Sequence, residues 1–297
     1  MKFTDIISSQ RPTVSFEFFP PKSDQAASDL YDAADHLRAL RPSFITVTYG
    51  AGGGTRERTR KLVMRLNSET GLTTVPHLTC VGATRDELAA IVQEYVDHGI
   101  ENLLALRGDP PEEHCGPYEP TPGGFRYANE LVAFLKAEFP NLGIGVAGYP
   151  EGHPETRDKL LDIENLKRKV DAGADLVITQ LFFDNRDFYD FVARCELEKI
   201  AVPIIAGIMP IQSLAGARKM SGMCGARLPA SLLRGIDRAQ GDKQAVRHVG
   251  THWAAEQCRD LLDHNVAGIH LYTLNKSSAT RRIYENLGVK HSDALSQ

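Results

Sequence analysis

The strongest constraint on this 297-residue chain is repetition: short strand-like runs recur, each followed by a helical pattern. The runs are Val14–Phe19, Phe44–Tyr49, Thr74–Thr79, Asn102–Arg107, Gly143–Gly148, Leu176–Gln180, Pro203–Gly207 and Gly268–Tyr272. Most are continuous apolar stretches, which indicates parallel strands covered on both faces. Between them, Leu30, Ala33, Leu37 and Leu40 share one helical face. Leu88, Ile91 and Tyr95 share another, behind the capping-box pattern of Thr84 and Glu87, and Ile163, Leu166 and Val170 a third. Eight such units in about 300 residues predict an α/β fold, a single (βα)8 TIM barrel spanning residues 1–297. An open doubly wound sheet is the alternative. Two stretches read as irregular: Pro110–Gly124, and Ser221–Lys243, an insertion between the seventh strand and a late helix, Gln244–His264.

Composition excludes several classes. A net charge of −4 with no basic run argues against nucleic acid as a partner. No apolar run reaches the roughly 18 residues a membrane helix needs, and Met1 to Arg11 has no apolar signal core. The cysteines, Cys80, Cys115, Cys195, Cys224 and Cys258, are odd in number and widely spaced, without C-x-x-C or zinc spacing. Free thiols and a cytoplasmic location are expected.

In a barrel, function collects at the C-terminal ends of the strands. Those ends carry Glu17, Thr48, Tyr49, His77, Arg107, Gly108, Asp109, Tyr149, Gln180, Met209 and Tyr272. Glu17 lies among Phe16, Phe18 and Phe19, and Pro20-Pro21 ends its strand. Apolar surroundings would favour the protonated carboxyl, which suits a general acid; a solvated glutamate is the plainer reading. Arg107 can bind phosphate or a carbonyl oxygen and Asp109 can accept from a heterocycle, although an Arg–Asp pair in a turn serves equally. His77 could donate to a ligand or be a satisfied core histidine. The basic run Lys167-Arg168-Lys169 could hold a pyrophosphate or be a solvated helix face. Gly50-Ala51-Gly52-Gly53-Gly54 lacks the last glycine of a dinucleotide fingerprint and reads as a loop that lets backbone approach a ligand.

Several of these segments, taken together, resemble one family. They are Ser15-Phe16-Glu17-Phe18-Phe19-Pro20-Pro21, Val47-Thr48-Tyr49-Gly50-Ala51, Pro76-His77-Leu78-Thr79-Cys80, Leu106-Arg107-Gly108-Asp109, Tyr149-Pro150-Glu151-Gly152-His153-Pro154, Asn165-Leu166-Lys167-Arg168-Lys169, Asp171-Ala172-Gly173-Ala174, Thr179-Gln180-Leu181-Phe182-Phe183-Asp184 and Tyr272-Thr273-Leu274-Asn275. In order, from about residue 14 to residue 288, the chain is similar to methylenetetrahydrofolate reductases, at the length of the bacterial form without a C-terminal regulatory domain.

The resemblance implies a barrel that binds FAD without covalent attachment. NAD(P)H reduces the flavin in a ping-pong cycle, and methylenetetrahydrofolate is then reduced to methyltetrahydrofolate, feeding one-carbon metabolism and methionine synthesis. It implies Glu17 as general acid and Asp109 beside flavin and pterin. Gln180 would contact both substrates, and Met220, Tyr272 and Lys276 would be substrate-side. It implies flavin contacts at Thr48, Tyr49, Ala51, His77, Arg107, Gly108, Asp109, Tyr127, Ala128, Tyr149, His153, Asp162, Asn165, Arg168 and Lys169, and a homo-oligomer. Three positions depart from the bacterial pattern. Met220 stands for phenylalanine, Gly216 for glutamine and Lys276 for arginine, so the grip on the folate tail differs. A flavin-free barrel lyase, a pterin-dependent methyltransferase and a non-catalytic folate binder are the competing readings.

Overall fold

The computed structural model describes residues 1–49, 56–109, 119–156, 158–239 and 241–295. The strands are β1 (Thr13–Phe18), β2 (Phe44–Val47), β3 (Thr74–Thr79), β4 (Asn102–Leu106), β5 (Gly143–Gly148), β6 (Leu176–Thr179), β7 (Ile204–Ile208) and β8 (Gly268–Tyr272). They pair in parallel in chain order, and β8 closes on β1. The closed barrel is the expected one, with boundaries shifted by a residue or two, and the open sheet is excluded.

The described helices are α1 (Phe3–Ser9), α2 (Asp24–Arg38), α3 (Arg56–Thr70), α4 (Arg85–Asp97), α5 (Ala128–Glu138), α6 (Lys159–Asp171), α7 (Asn185–Leu197), α8 (Leu214–Cys224), α9 (Ala230–Arg238), α10 (Lys243–Asp263) and α11 (Ser277–Leu287). The capping box at the start of α4 forms as expected. Glu87 N donates to Thr84 Oγ1 and Thr84 N donates to the Glu87 carboxylate. Among the described residues no helix is long and apolar enough to cross a membrane.

Two expectations need correction. The segment Ser221–Lys243 is not irregular: it holds the end of α8 and all of α9. Here Leu232 and Ile236, one turn apart, are buried beside Phe183, Met209 and Ile211 above β7. Of the other stretch, residues 110–118 lie outside the described residues, and residues 119–124 form a turn bridged to Thr84. The unexpected element is α1. Its Phe3, Ile6 and Ile7 pack under the barrel on Phe44, Val75, Leu104, Leu176, Ile178 and Ile205. Phe3 meets Phe44 edge to face at 5.4 Å between centroids.

Strand alternation divides the core. Outward residues such as Val14, Phe16, Phe18, Ile269 and Leu271 join the layer between strands and helices. Inward residues change along the barrel axis. At the N-terminal end they are the apolar cluster closed by α1, whereas further along they are polar: Ser15, Thr46, His77 and His270, all buried, with Glu17 beyond them. The barrel is therefore plugged at one end and chemically equipped at the other.

Candidate active site

Glu17 is 5 % exposed and lies next to Thr46 on β2 and Tyr272 on β8 in the strand register. Its surroundings are not the expected phenylalanines. Period-2 alternation sends Phe16 and Phe18 outward, Phe16 onto the Tyr284 ring at 6.3 Å, and leaves the carboxylate facing polar side chains. Three of these approach one oxygen, Oε2: His270 Nε2 at 3.2 Å, His77 Nε2 at 3.5 Å and Thr46 Oγ1 at 3.5 Å. On its far side, His270 Nδ1 lies 2.8 Å from Ser15 Oγ.

The end of the strand is clamped. Thr273 Oγ1 donates to the Glu17 carbonyl at 2.6 Å. The Asn275 side chain accepts from Phe19 N and donates to Phe19 O, both at 2.8 Å. The β8–α11 connection thus fixes the backbone on both sides of Phe18. Tyr272 donates its hydroxyl to Thr179 O at 2.9 Å and sets its ring edge-on to His270, 5.2 Å away. This placement depends on Gly207, where a Cβ would come within 2.9 Å of the Tyr272 ring.

His77 has the second buried imidazole. Burial depresses its pKa to about 4, helped by His270 and opposed by Glu17, so the ring is neutral at neutral pH. Its Nε2, 3.5 Å from Glu17 Oε2, has no hydrogen-bond partner among the described residues. Burial likewise pushes the Tyr272 and Tyr149 hydroxyls well above their ordinary range, which keeps both as neutral donors.

A second group surrounds the ends of β4 and β5. Arg107 makes a two-pronged pair with Glu155 at 2.6 and 2.8 Å, and Gly108 follows with φ +87°, pressed against Thr79. Asp109 is exposed beyond it. Tyr149 packs edge-on against His153 at 4.6 Å. Burial and the Arg107 charge lower the His153 pKa, while burial raises that of Asp162 against the pull of Lys169. Lys169 extends from α6 to donate to Ala147 O at 2.5 Å, and burial of its ammonium brings its pKa down to about 8, against the pull of Asp162.

The other expected residues stand further apart. Arg168 is exposed, donating to Asn165 Oδ1 at 2.8 Å and lying 3.6 Å from Glu164, so it does not share the partners of Lys169. Tyr127, 51 % exposed, caps α5, which Ala128 begins. Thr48 and Tyr49 are partly buried after β2, and Ala51 lies outside the described residues. Gln180 turns its side-chain oxygen back to Leu181 N at 2.9 Å. Met220 packs on the cluster formed by α8 and α9, and Lys276 is exposed as the N-cap of α11. Cys80, Cys195, Cys224 and Cys258 are free thiols, as expected; Cys115 lies outside the described residues.

The sequence reading missed His270, Ser15 and Thr46. The available signal was alternation: Ser15 and Glu17, like His270 and Tyr272, are two apart on one strand and so share a face.

The residues present fit a flavin dinucleotide. Its polar ring edge would find an unpartnered histidine nitrogen and the neutral Tyr149 hydroxyl, and its diphosphate the Lys169 ammonium, which has Asp162 as a counter-charge. The left-handed backbone at Gly108 allows close approach.

The sequence profile described as methylenetetrahydrofolate reductase matches residues 2–288. The 5,10-methylenetetrahydrofolate reductase of Escherichia coli (strain K12) is 41% identical over 277 residues, covering 93% of this chain and 91% of that protein. Methylenetetrahydrofolate reductase (NADH) 1 of Arabidopsis thaliana is 36% identical over 306 residues, covering 100% of this chain and 52% of that protein. Among solved structures, an uncharacterized protein from Clostridium thermocellum that binds two copies of 5-methyl-5,6,7,8-tetrahydrofolic acid shares the fold. Its TM-score is 0.65 at 15% identity, covering 99% of this chain and 96% of that one.

Proposed function

This chain belongs to the methylenetetrahydrofolate reductase family of oxidoreductases, and from that premise we propose that it reduces 5,10-methylenetetrahydrofolate to 5-methyltetrahydrofolate with electrons from NAD(P)H passed through a bound FAD. The reading rests above all on Glu17: a carboxyl at the strand ends, nearly buried, with its contacts gathered on one oxygen. Opening the five-membered ring of the substrate requires a proton, and Glu17 is placed to deliver it.

A bound FAD would supply the hydride, and the protein's part is to orient the reactants and set the field around them. His77, Arg107, Tyr149, His153, Asp162 and Lys169 form the flavin side, joined by Thr48, Tyr49, Ala51, Gly108, Tyr127, Ala128, Asn165 and Arg168. Asp109, the exposed acid after β4, would oppose negative charge on a flavin held beside it and would favour a cationic iminium on the pterin. Gln180 meets each substrate in turn, which is what a ping-pong cycle at one face demands. Met220, Tyr272 and Lys276 complete the folate side. Lys276 offers the tail a single point charge where an arginine would offer a fork. The barrel acts as one catalytic unit in the cytoplasm, within a homo-oligomer.

An absorbance spectrum of the purified protein, before and after anaerobic NADH, tests the reading. The expected result is a flavin spectrum that bleaches with NADH and returns when methylenetetrahydrofolate is added. A protein that purifies with no flavin band and takes up no added FAD would instead act as a flavin-free lyase, methyltransferase or folate binder.

A further inference from the structure

The buried chain Ser15–His270–Glu17 carries an inference that rests on the reductase reading and deepens it. Ser15 and His270 are both 0 % exposed and sit side by side in the β1–β8 register. His270 Nδ1 lies 2.8 Å from Ser15 Oγ, and His270 Nε2 lies 3.2 Å from Glu17 Oε2. A neutral imidazole has one donor nitrogen and one acceptor nitrogen, so with His270 neutral the two contacts have opposite polarity.

Ser15 decides which way round they run. Its hydroxyl is buried, and His270 Nδ1 is its one side-chain partner among the described residues. If Nδ1 carried the hydrogen, the serine oxygen would accept and its own O–H would be left without an acceptor. A buried donor without a partner costs about 1–3 kcal/mol. With the serine donating to Nδ1, both groups are satisfied and the ring hydrogen sits on Nε2, facing Glu17.

We propose that Ser15 and His270 are positioning residues that keep the transferable proton of Glu17 on its other oxygen, Oε1. In this arrangement Nε2–H donates to Oε2, so Oε2 cannot carry the acid proton without confronting a second hydrogen. The proton is held on Oε1, which makes no hydrogen bond among the described residues. When it passes to the substrate nitrogen, the bond between Oε1 and hydrogen breaks and a nitrogen–hydrogen bond forms. The electron pair stays on the carboxylate, whose new charge Nε2–H already solvates. No second proton moves. The reverse tautomer would trap the proton between Oε2 and Nε2, away from the substrate.

Other groups facing Glu17 are consistent with this polarity. His77 on β3 is neutral, Tyr272 on β8 is a neutral phenol, and burial pushes the Cys224 thiol on α8 up to about 11. None competes to protonate Oε2.

Nitrogen NMR of the ¹⁵N-histidine-labelled protein at neutral pH reads the tautomer directly, without flavin or substrate. The expected result is a His270 ring protonated at Nε2 and bare at Nδ1. Ser15→Ala should mix the two tautomers, slow flavin reoxidation by methylenetetrahydrofolate by about tenfold more than flavin reduction by NADH, and move the pH limb of reoxidation. Ser15→Thr, which keeps the hydroxyl, should restore the tautomer and the pH limb. A wild-type ring protonated at Nδ1 overturns the proposal. So does a Ser15→Ala protein with unchanged ring signals and an unchanged pH profile. A wild-type protein that never binds flavin defeats the reductase reading instead, and the tautomer still decides this one.

Discussion

His77 Nε2 and Glu17 Oε2 lie 3.5 Å apart inside the barrel, a neutral imidazole beside the carboxyl proposed as the acid. Together with His270, they make the barrel interior polar on the side away from α1. Holding neutral histidine in so dry a place sets the response of the fold to pH.

The ordinary histidine value is 6.5 and that of His77 is about 4, so between these pH values the unfolded chain binds the proton that the folded chain refuses. The stability gained from a neutral His77 is full above about pH 6.5 and is lost as pH falls toward about 4. The shift corresponds to about 3 kcal/mol. Urea unfolding at about pH 7 and about pH 5 should show a marked drop on acidification, and His77→Gln should flatten it. An equal drop in the variant would assign the acid sensitivity to other groups.

The α1 plug makes a second prediction. Phe3 is fully buried, edge to face on Phe44, beneath the strands. Phe3→Ala leaves a void at the centre of the barrel floor and should cost about 3–5 kcal/mol. A clear fall in the urea midpoint with an unchanged slope is the expected outcome. A loss below about 1 kcal/mol would show that the barrel closes without its plug.

The barrel was legible because continuous apolar strands and amphipathic helices repeat eight times, a pattern that few folds accommodate. The α1 plug was not, because seven residues carry too little periodicity to announce a helix; Phe3, Ile6 and Ile7 declare themselves only when the barrel floor needs filling. Helix α9 was hidden by the glycines and prolines around it. The surroundings of Glu17 differ from those its sequence neighbours suggest. Its phenylalanine neighbours in sequence face away from it, and its neighbours in space, Thr46, His77 and His270, come from three other strands. His270 lies inside its strand rather than at the strand end, so only the alternation that places it on one face with Tyr272 marks it.

Lys169 gives a prediction about cofactor affinity. Burial leaves its ammonium with a pKa of about 8, and a diphosphate at that site would hold the charged form. FAD affinity of the apoprotein should therefore fall as pH rises through 8, and FAD binding near pH 9 should take up a proton. The lost charge-assisted contact is worth about 1.5–3 kcal/mol, tenfold or more in affinity. Flavin fluorescence titrations at about pH 7 and about pH 9.5 measure it. Arg168→Ala combined with Lys169→Ala should weaken binding and abolish the pH dependence. Unchanged FAD retention in the double variant would put the diphosphate elsewhere.

Glu17→Gln separates the two half-reactions. Hydride transfer from NADH to flavin needs no acid for the folate, whereas opening the imidazolidine ring does. Glutamine keeps the shape of the side chain and its amide oxygen can still accept from His270 Nε2, but it has no acidic proton to give. The variant should bind FAD and bleach with NADH at close to the wild-type rate. Its reduced flavin should then reoxidise with methylenetetrahydrofolate about 10²–10⁴-fold more slowly, the usual cost of a lost general acid. Anaerobic stopped-flow at the flavin band follows both steps in one sample. Equal slowing of both would make Glu17 a residue that positions the flavin. Normal reoxidation would move the proton source to another group, and among its neighbours His270, already linked to the buried hydroxyl of Ser15, would be the next to test.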